Sequence, residues 1–184
     1  MKHLIKATAA LAALVNVLAA APSQAAVNST NNWYIGASGD LTWLRHSDTG
    51  GGGNIDLGYK FNDWRLEAEA GYHGAGGDTG YSSTHYFTYM GNLYYDFNSI
   101  MPASPIRPFI GAGLGDAQIH YGRGSFSNTF HNHSNDFAWQ GMAGINYVMP
   151  SMPATDWSLG YRYLGTDKQN LHASNLELGI RFHF

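Results

Sequence analysis

The chain has 184 residues, of which 23 are glycine, none is cysteine and only 12% are charged. The lack of cysteine excludes disulfides, thiolate metal sites and thiol nucleophiles, and the charged fraction is about half of the roughly 25% that is typical of soluble globular domains. With a formal net charge of −3 and no basic cluster, the chain is not expected to bind nucleic acid.

The first segment has the features of an export signal. Two lysines precede an apolar run over residues 7–21, and a proline and several small residues follow it. The run is shorter than the ~20 apolar residues that a membrane-spanning helix needs, and its flanks are those of a secretory signal peptide. We predict cleavage after Ala25, which makes residues 1–25 a signal peptide and residues 26–184 the exported domain.

The exported part alternates between apolar and polar residues with a period of two, which indicates β-strands. The segment NIDLGYKF over 54–61 alternates throughout, and the two-residue turn Asn62-Asp63 joins it to WRLEAEAGYH over 64–73 as a hairpin. The pattern predicts eight strands, over 33–45, 54–61, 64–73, 85–97, 108–121, 137–147, 157–163 and 175–184.

The fifth strand is rich in glycine, and its phase is ambiguous. We place Ile110, Ala112 and Leu114 on its apolar face and allow for a bulge near Asp116. Glycine-rich and polar connections follow the odd-numbered strands, over 46–53, 74–84, 122–135 and 165–174. We interpret the GGGG run over 50–53 as a flexible loop tip.

The charged residues decide which face of the strands meets water. Eleven of them fall on the polar face and none on the apolar face: Asp40, Asp56, Lys60, Arg65, Glu67, Glu69, Asp96, Asp156, Arg162, Glu177 and Arg181. A soluble barrel such as a lipocalin would need many more charges on an exterior of this size. In a membrane barrel the same residues line the interior, and the low charge suits a lipid-facing wall.

The aromatic residues sort by strand end. One group lies at the level of the start of the first strand: Trp33, Tyr59, Phe61, Trp64, Tyr95, Phe97, Tyr147, Trp157, Phe182 and Phe184. The other group lies at the opposite end: Trp43, Tyr72, Phe87, Phe137, Trp139 and Tyr163. Two such girdles are typical of the two membrane interfaces. Because backbone amides in hydrocarbon must all be paired, we predict an all-β fold, an eight-stranded antiparallel up-and-down transmembrane β-barrel.

Several segments resemble one known family. WYIGASGD, MGNLYYDF, PFIGAGLG, SLGYRYL and the closing ELGIRFHF are similar, in this order, to the small outer-membrane β-barrel proteins that include the opacity proteins, OmpX, Ail and the OmpA transmembrane domain. The resemblance implies the outer membrane of a Gram-negative bacterium, with lipid and lipopolysaccharide as neighbours. It also implies that the outer-membrane assembly machinery reads Phe182 and Phe184 as a terminal signal.

Catalytic and metal-binding motifs are weak in this sequence. HASN over 172–175 has the His-x-Ser-Asn spacing of an outer-membrane lipid A deacylase, but the carboxylate that follows, Glu177, is predicted to face inward, and His172 is placed in an exposed loop. HNH over 131–133, with His120 near it, is interpreted as solvated histidines. No catalytic residue, cofactor or metal is therefore expected.

The inward charges are interpreted as a packed network, because isolated charges there would be strongly destabilising. Its main members are Asp40, Asp56, Arg65, Glu67, Glu69, Arg162, Glu177 and Arg181. Function is then expected in the outer loops, where the contact candidates are Arg123, Phe126, Phe130, His131 and His133. This favours a non-enzymatic surface protein that mediates adhesion or binds host or envelope molecules; the alternative is a narrow porin-like channel for ions or small solutes.

Overall fold

The computed structural model describes residues 31–44, 49–76, 82–99, 104–123, 134–167 and 171–184. These residues form eight strands: β1 (Asn31–Leu44), β2 (Thr49–Phe61), β3 (Trp64–Gly76), β4 (Ser82–Asp96), β5 (Ile106–Arg123), β6 (Ser134–Val148), β7 (Thr155–Thr166) and β8 (His172–His183). No helix long and apolar enough to cross a membrane occurs in the described part of the chain. The predicted signal peptide lies outside the described residues and stays a prediction.

The eight strands close into one barrel in sequence order, with every neighbour antiparallel and β8 paired to β1. The predicted fold class is confirmed. Stepping from each residue to its direct partner around the barrel, the path that starts at Asn32 returns to β1 at Thr42. It passes through Lys60, Arg65, Tyr94, Gly111, Met142, Arg162 and Asn175. The shear number is therefore ten, which corresponds to strands tilted by roughly 40°.

The outer wall is an apolar band between two aromatic girdles. On β1, Trp33 is 51% exposed and Trp43 is 42% exposed, while Tyr34 between them is fully buried in the lumen. At the tilt given above, the ten residue-to-residue steps from Trp33 to Trp43 rise about 25 Å along the barrel axis, which is the height of the apolar band of outer-membrane barrels. Side chains such as Leu57 and Leu178, 49% and 55% exposed, lie within this band.

The strands extend further than the alternation predicted. The GGGG run is part of β2, with Gly50 to Gly53 paired to β1, so its interpretation as a flexible loop tip was wrong. His172 was also misplaced, because it is the first residue of β8 and is half-buried. Glycine and histidine give no clear apolar alternation, yet their backbone groups complete the ladder as those of other residues do.

The fifth strand continues through Asp116 without a bulge. Asp116 pairs with Tyr89 on one side and with Phe137 on the other, in an unbroken register. Ile110 and Leu114 face outward as predicted, and Asp116 is exposed on the same face. The expectation that the outer wall carries no charge was therefore wrong. Asp116 lies at the level of the outer girdle, where a carboxylate can reach headgroups and water.

The outer rim of the barrel is uneven. β1 ends one residue beyond Trp43, whereas β5 runs seven residues beyond Asp116 and pairs with β4 up to Ser82↔Arg123. At the strand tilt of this barrel, those seven residues correspond to roughly 17 Å along the axis. β4, β5 and β6 therefore form a wall that rises above the outer girdle, and residues 124–133 join the outer ends of β5 and β6.

At the end of the barrel opposite the outer rim, β2 and β3 are joined by a tight two-residue turn. Asn62 has a φ of 56°, and Asp63 completes the two-residue turn. Asparagine tolerates the left-handed region better than most residues because its short side chain bonds locally. This end also holds the start of β1 and the end of β8. We assign it to the periplasmic side, where outer-membrane barrels have their short turns.

Candidate functional site: the lumen and the outer rim

Two ion pairs fill the periplasmic end of the lumen. Arg65 is 1% exposed, and its Nε lies 2.9 Å from Asp96 Oδ2. The Arg65 guanidinium packs over Tyr94, with Cζ 4.3 Å from the ring centroid. Beside it, Arg181 Nε lies 3.3 Å from Asp156 Oδ1. Each buried guanidinium thus has a carboxylate partner, which offsets the cost of removing it from water.

The centre of the lumen is crossed by Arg162. Its two terminal nitrogens bind the two carboxylate oxygens of Glu69, with Nη2 2.8 Å from Oε2. Nη2 also lies 2.8 Å from Glu177 Oε2, and Nη1 donates to Gln140 Oε1 at 3.3 Å. Arg162 lies on β7 and Glu69 on β3, four strands apart among the eight, so this pair bridges opposite walls of the barrel.

Glu67 is held mainly by uncharged donors. Tyr34 Oη donates to it at 2.8 Å, Tyr94 Oη at 3.2 Å and Asn92 Nδ2 at 3.2 Å. Tyr34 reaches Glu67 by lying over Gly58, where an added Cβ would come within 2.2 Å of the Tyr34 hydroxyl. The glycine at position 58 is therefore required by the close approach of this ring.

A cavity of about 40 Å³ lies among these groups. Carboxylates of Asp56, Glu67 and Glu177 and the guanidinium groups of Arg162 and Arg181 line it. Asp56 Oδ2 has no hydrogen-bond partner among the protein atoms of the described residues. A polar cavity of this size holds one or a few water molecules, and water there would satisfy the free oxygen.

Toward the outside, the lumen changes from polar to apolar. Asp40 Oδ2 lies 3.0 Å from His73 Nδ1, an ion-pair distance whose angle falls outside hydrogen-bond geometry, and Thr42 Oγ1 donates to Asp40 at 2.5 Å. The His73 ring stacks on Tyr86, with centroids 4.8 Å apart. Tyr86 belongs to an inward apolar cluster that spans the outer end of the lumen. Its members are Tyr86, Met90, Ala117, Ile119, Ala138, Leu164, Leu171 and Ala173.

The contact candidates of the third outer loop are only partly described. Arg123 is the last residue of β5, where its backbone pairs with Ser82, and not a loop residue as predicted. Phe126, Phe130, His131 and His133 lie outside the described residues. No group of three or more histidine and carboxylate side chains that could hold a metal ion occurs among the residues that the structure covers.

The His-x-Ser-Asn segment lies on β8. Ser174 Oγ accepts a hydrogen bond from Tyr161 Oη at 2.9 Å, and Tyr163 Oη lies 3.0 Å from His172 Nδ1. Glu177 faces the lumen, where it pairs with Arg162. The described contacts therefore tie the serine and the histidine to separate tyrosines and hold the following carboxylate on the other side of the wall.

The lumen also contains two histidines and a tyrosine that contact the buried carboxylates and that were not among the charged residues predicted to form the network. His73 contacts Asp40, His183 Nε2 lies 3.1 Å from Asp156 Oδ1, and Tyr34 binds Glu67. All three of these side chains occupy polar-face positions of their strands. Alternation alone could have found them if uncharged and titratable aromatic residues had been counted with the charges.

The comparisons with known proteins agree with this geometry. The sequence profile of the family described as "Outer membrane protein beta-barrel domain" matches residues 8–184. The chain belongs to this family. The family places the protein in the outer membrane, and the barrel geometry fits that location. The comparison with curated proteins found no match.

Three solved structures show the same fold. Neisserial surface protein A is 20% identical with a TM-score of 0.62, over 85% of this chain and 98% of that chain. The N-terminal β-barrel domain of Pseudomonas aeruginosa OprF is 15% identical with a TM-score of 0.51, over 82% and 97%. The outer membrane enzyme PagL is 19% identical with a TM-score of 0.50, over 80% and 98%. This fold therefore serves both a surface protein and an enzyme, so function has to be argued from the residues.

Proposed function

We propose that the protein is a non-enzymatic surface protein of the outer membrane, whose barrel is an anchor and whose outer loops bind host or envelope molecules. The observation that carries this proposal is the uneven rim. β4, β5 and β6 continue beyond the outer girdle, and in the sequence residues 124–133 connect the outer ends of β5 and β6. Loops on a rigid scaffold are where binding residues commonly lie.

The filled lumen supports the same proposal. Arg162 and Glu69 bridge the centre of the barrel, and the apolar cluster that contains Tyr86 and Leu164 covers the outer end. A solute would have to separate an ion pair and then pass apolar side chains. The described interior therefore favours an anchor over a passage, and recognition is left to the outer surface.

The loop residues Phe126, Phe130, His131 and His133 are the proposed contacts, together with Arg123 at the end of β5. Aromatic rings among adaptable polar residues suit protein recognition. The decisive experiment replaces residues 124–133 by a glycine-serine segment of equal length. We expect unchanged heat-modifiable, protease-resistant folding and the loss of adhesion to host matrix proteins or of binding to envelope partners.

The matched control replaces residues 77–81, which join β3 to β4, in the same way. If the 124–133 variant adheres and binds partners as the wild type does, the third loop is not the functional site. The channel alternative has its own measurement: steady single-channel conductance of the purified wild-type barrel in planar bilayers would replace the anchor proposal by that of a narrow pore.

The C-terminal strand is proposed to guide assembly. Phe184 is 48% exposed, and its backbone N–H donates to the Trp33 carbonyl at 2.9 Å, so the last residue lies where β8 closes the barrel against β1. An outward aromatic at this seam is accessible to a partner before closure. The proposed partner of Phe182 and Phe184 is the outer-membrane assembly machinery.

A further inference from the structure

Two tyrosine–histidine pairs lie on the outward face of the barrel at its outer end. Tyr72 Oη lies 3.1 Å from His85 Nδ1, and Tyr163 Oη lies 3.0 Å from His172 Nδ1. In both pairs the ring centroids are 5.9 Å apart, with interplanar angles of 2° and 25°. One pair joins β3 to β4 and the other joins β7 to β8, so they lie on opposite sides of the barrel.

The two pairs share their backbone setting. The direct cross-strand partner of His85 is Gly74, and that of His172 is Gly165. An added Cβ at Gly74 would lie 2.7 Å from His85 Nδ1, so the glycine lets the imidazole lie against the sheet and reach its tyrosine. In each case the tyrosine is diagonal to the histidine, two residues nearer the membrane than the glycine.

Each tyrosine is also supported by a second outward ring. Phe87 packs on Tyr72 with centroids 4.6 Å apart, and Trp139 packs on Tyr163 with centroids 5.6 Å apart. Phe87 and Trp139 are 40% and 41% exposed and belong to the outer girdle. Both tyrosines are therefore fixed between a girdle ring facing the lipid and an imidazole on the side away from the membrane.

This arrangement prepares a hydrogen-bond donor at headgroup level. A tyrosine hydroxyl that donates to Nδ1 leaves the proton of a neutral imidazole on Nε2. His85 and His172 lie one strand repeat beyond Phe87 and Ser174, just outside the girdle, where lipid headgroups begin. Below them the wall is apolar and accommodates acyl chains. Phosphate groups are the strong acceptors at this depth of the outer leaflet.

We propose that the two tyrosine–histidine pairs, Tyr72–His85 and Tyr163–His172, are binding sites for phosphorylated headgroups of outer-leaflet lipid. Each imidazole donates Nε2–H to a phosphate oxygen, its tyrosine fixes the tautomer, and the girdle ring contacts the lipid chain. The barrel thereby carries one lipid-binding site on each side. This inference is independent of what the outer loops recognise.

The test is native mass spectrometry of the purified protein, released from micelles that contain either bisphosphorylated lipid A or its dephosphorylated form. We expect wild type to retain the phosphorylated lipid at two sites. The double variant His85→Phe/His172→Phe keeps both rings and removes the donors, and its affinity should fall by about tenfold per site, as for the loss of a hydrogen bond to a charged group.

Two tyrosine variants separate the proposed role from general girdle packing. The double variant Tyr72→Phe/Tyr163→Phe removes the hydroxyls that hold Nδ1 and should weaken retention of the phosphorylated lipid. Tyr89→Phe is the matched control, because Tyr89 is 53% exposed on the same outward face of β4, two residues from Phe87, and makes no such histidine contact among the described residues. Equal retention by the wild type and both double variants would overturn the proposal.

A glycine variant tests the geometry without deleting a polar group. Gly74→Ala should displace His85 from Tyr72 and abolish one of the two bound lipids, whereas Gly141→Ala, also on the outward face and with no atom within 4 Å of an added Cβ, should not. NMR of the histidine ring nitrogens in nanodiscs reports the tautomer of each imidazole, and changes in their chemical shifts report binding of an added ligand. Ring shifts caused by the phosphorylated lipid but not by its dephosphorylated form support the sites. Equal shifts with inorganic phosphate alone would overturn the assignment to lipid.

Discussion

Removing Arg162 should strongly destabilise the barrel. In Arg162→Ala, the carboxylates of Glu69 and Glu177 lose the guanidinium that binds both, and Gln140 loses a donor. Arg162 is 4% exposed and Glu69 is 5% exposed, so water does not replace it fully. Breaking a buried ion pair by deleting one partner costs about 3–5 kcal/mol. Urea unfolding in lipid vesicles, followed by tryptophan fluorescence, measures this free energy.

The chain offers a matched control for this prediction. Lys60→Ala removes a cation from the same lumen, but among the described residues Lys60 makes one ion pair, 3.7 Å from Asp96, and Asp96 keeps Arg65 as a closer partner. Its loss should cost less than about 1 kcal/mol, as for partly exposed pairs. The double variant Arg162→Met/Glu69→Gln should recover part of the Arg162 loss. Equal costs for the arginine and lysine variants would refute the view that the central network supports the barrel.

Three further predictions follow from the wall and the terminus. Arginine at Leu57 or Leu178 should lower the unfolding free energy in vesicles by about 2–4 kcal/mol near the midplane, whereas a polar replacement of inward Asn54 should cost less; equal tolerance would contradict the membrane orientation. Asp116→Asn should raise the unfolding free energy in the same assay by up to about 1 kcal/mol, because it removes an outward charge at the interface; a loss of stability would point to an unseen cation partner. Deleting Phe184 should reduce the amount of folded barrel in cells, measured by heat-modifiable migration, while the purified protein refolds in detergent; normal levels in cells would argue against an assembly signal.

The sequence predicted the number of strands and their faces because both depend on a local period of two. Tyr34, Asp40, Leu57 and Leu178 point where alternation places them. The strand ends were not predicted, since the glycine-rich start of β2 has no side chains to alternate and pairs only through its backbone. The outward position of Asp116 was not predicted for a related reason. Charged residues are confined to the inward face only where the strand lies within the apolar band.

The partners within the lumen could not be read from the sequence. Arg162 and Glu69 form an ion pair because the strand registers, with a shear number of ten, place these two residues of β7 and β3 at the same height on opposite sides of a narrow interior. That height depends on all eight registers together, and no local pattern encodes their sum. The type of residue in the lumen is therefore predictable, whereas the assignment of each cation to its carboxylate is a property of the closed barrel.

The apolar cluster at the outer end of the lumen connects β4, β5 and β6, which extend above the outer girdle, to the shorter strands opposite them. Tyr86 and Ile119 project inward from β4 and β5, where these strands rise above the girdle, and they pack with Leu164 and Leu171 from the opposite part of the rim. Removing these side chains from water stabilises the parts of the strands that carry them. This apolar cluster therefore holds the outer ends of β5 and β6 in place before a partner binds. Binding at residues 124–133 would then not require the supporting strands to become ordered, and less affinity would be lost to conformational entropy.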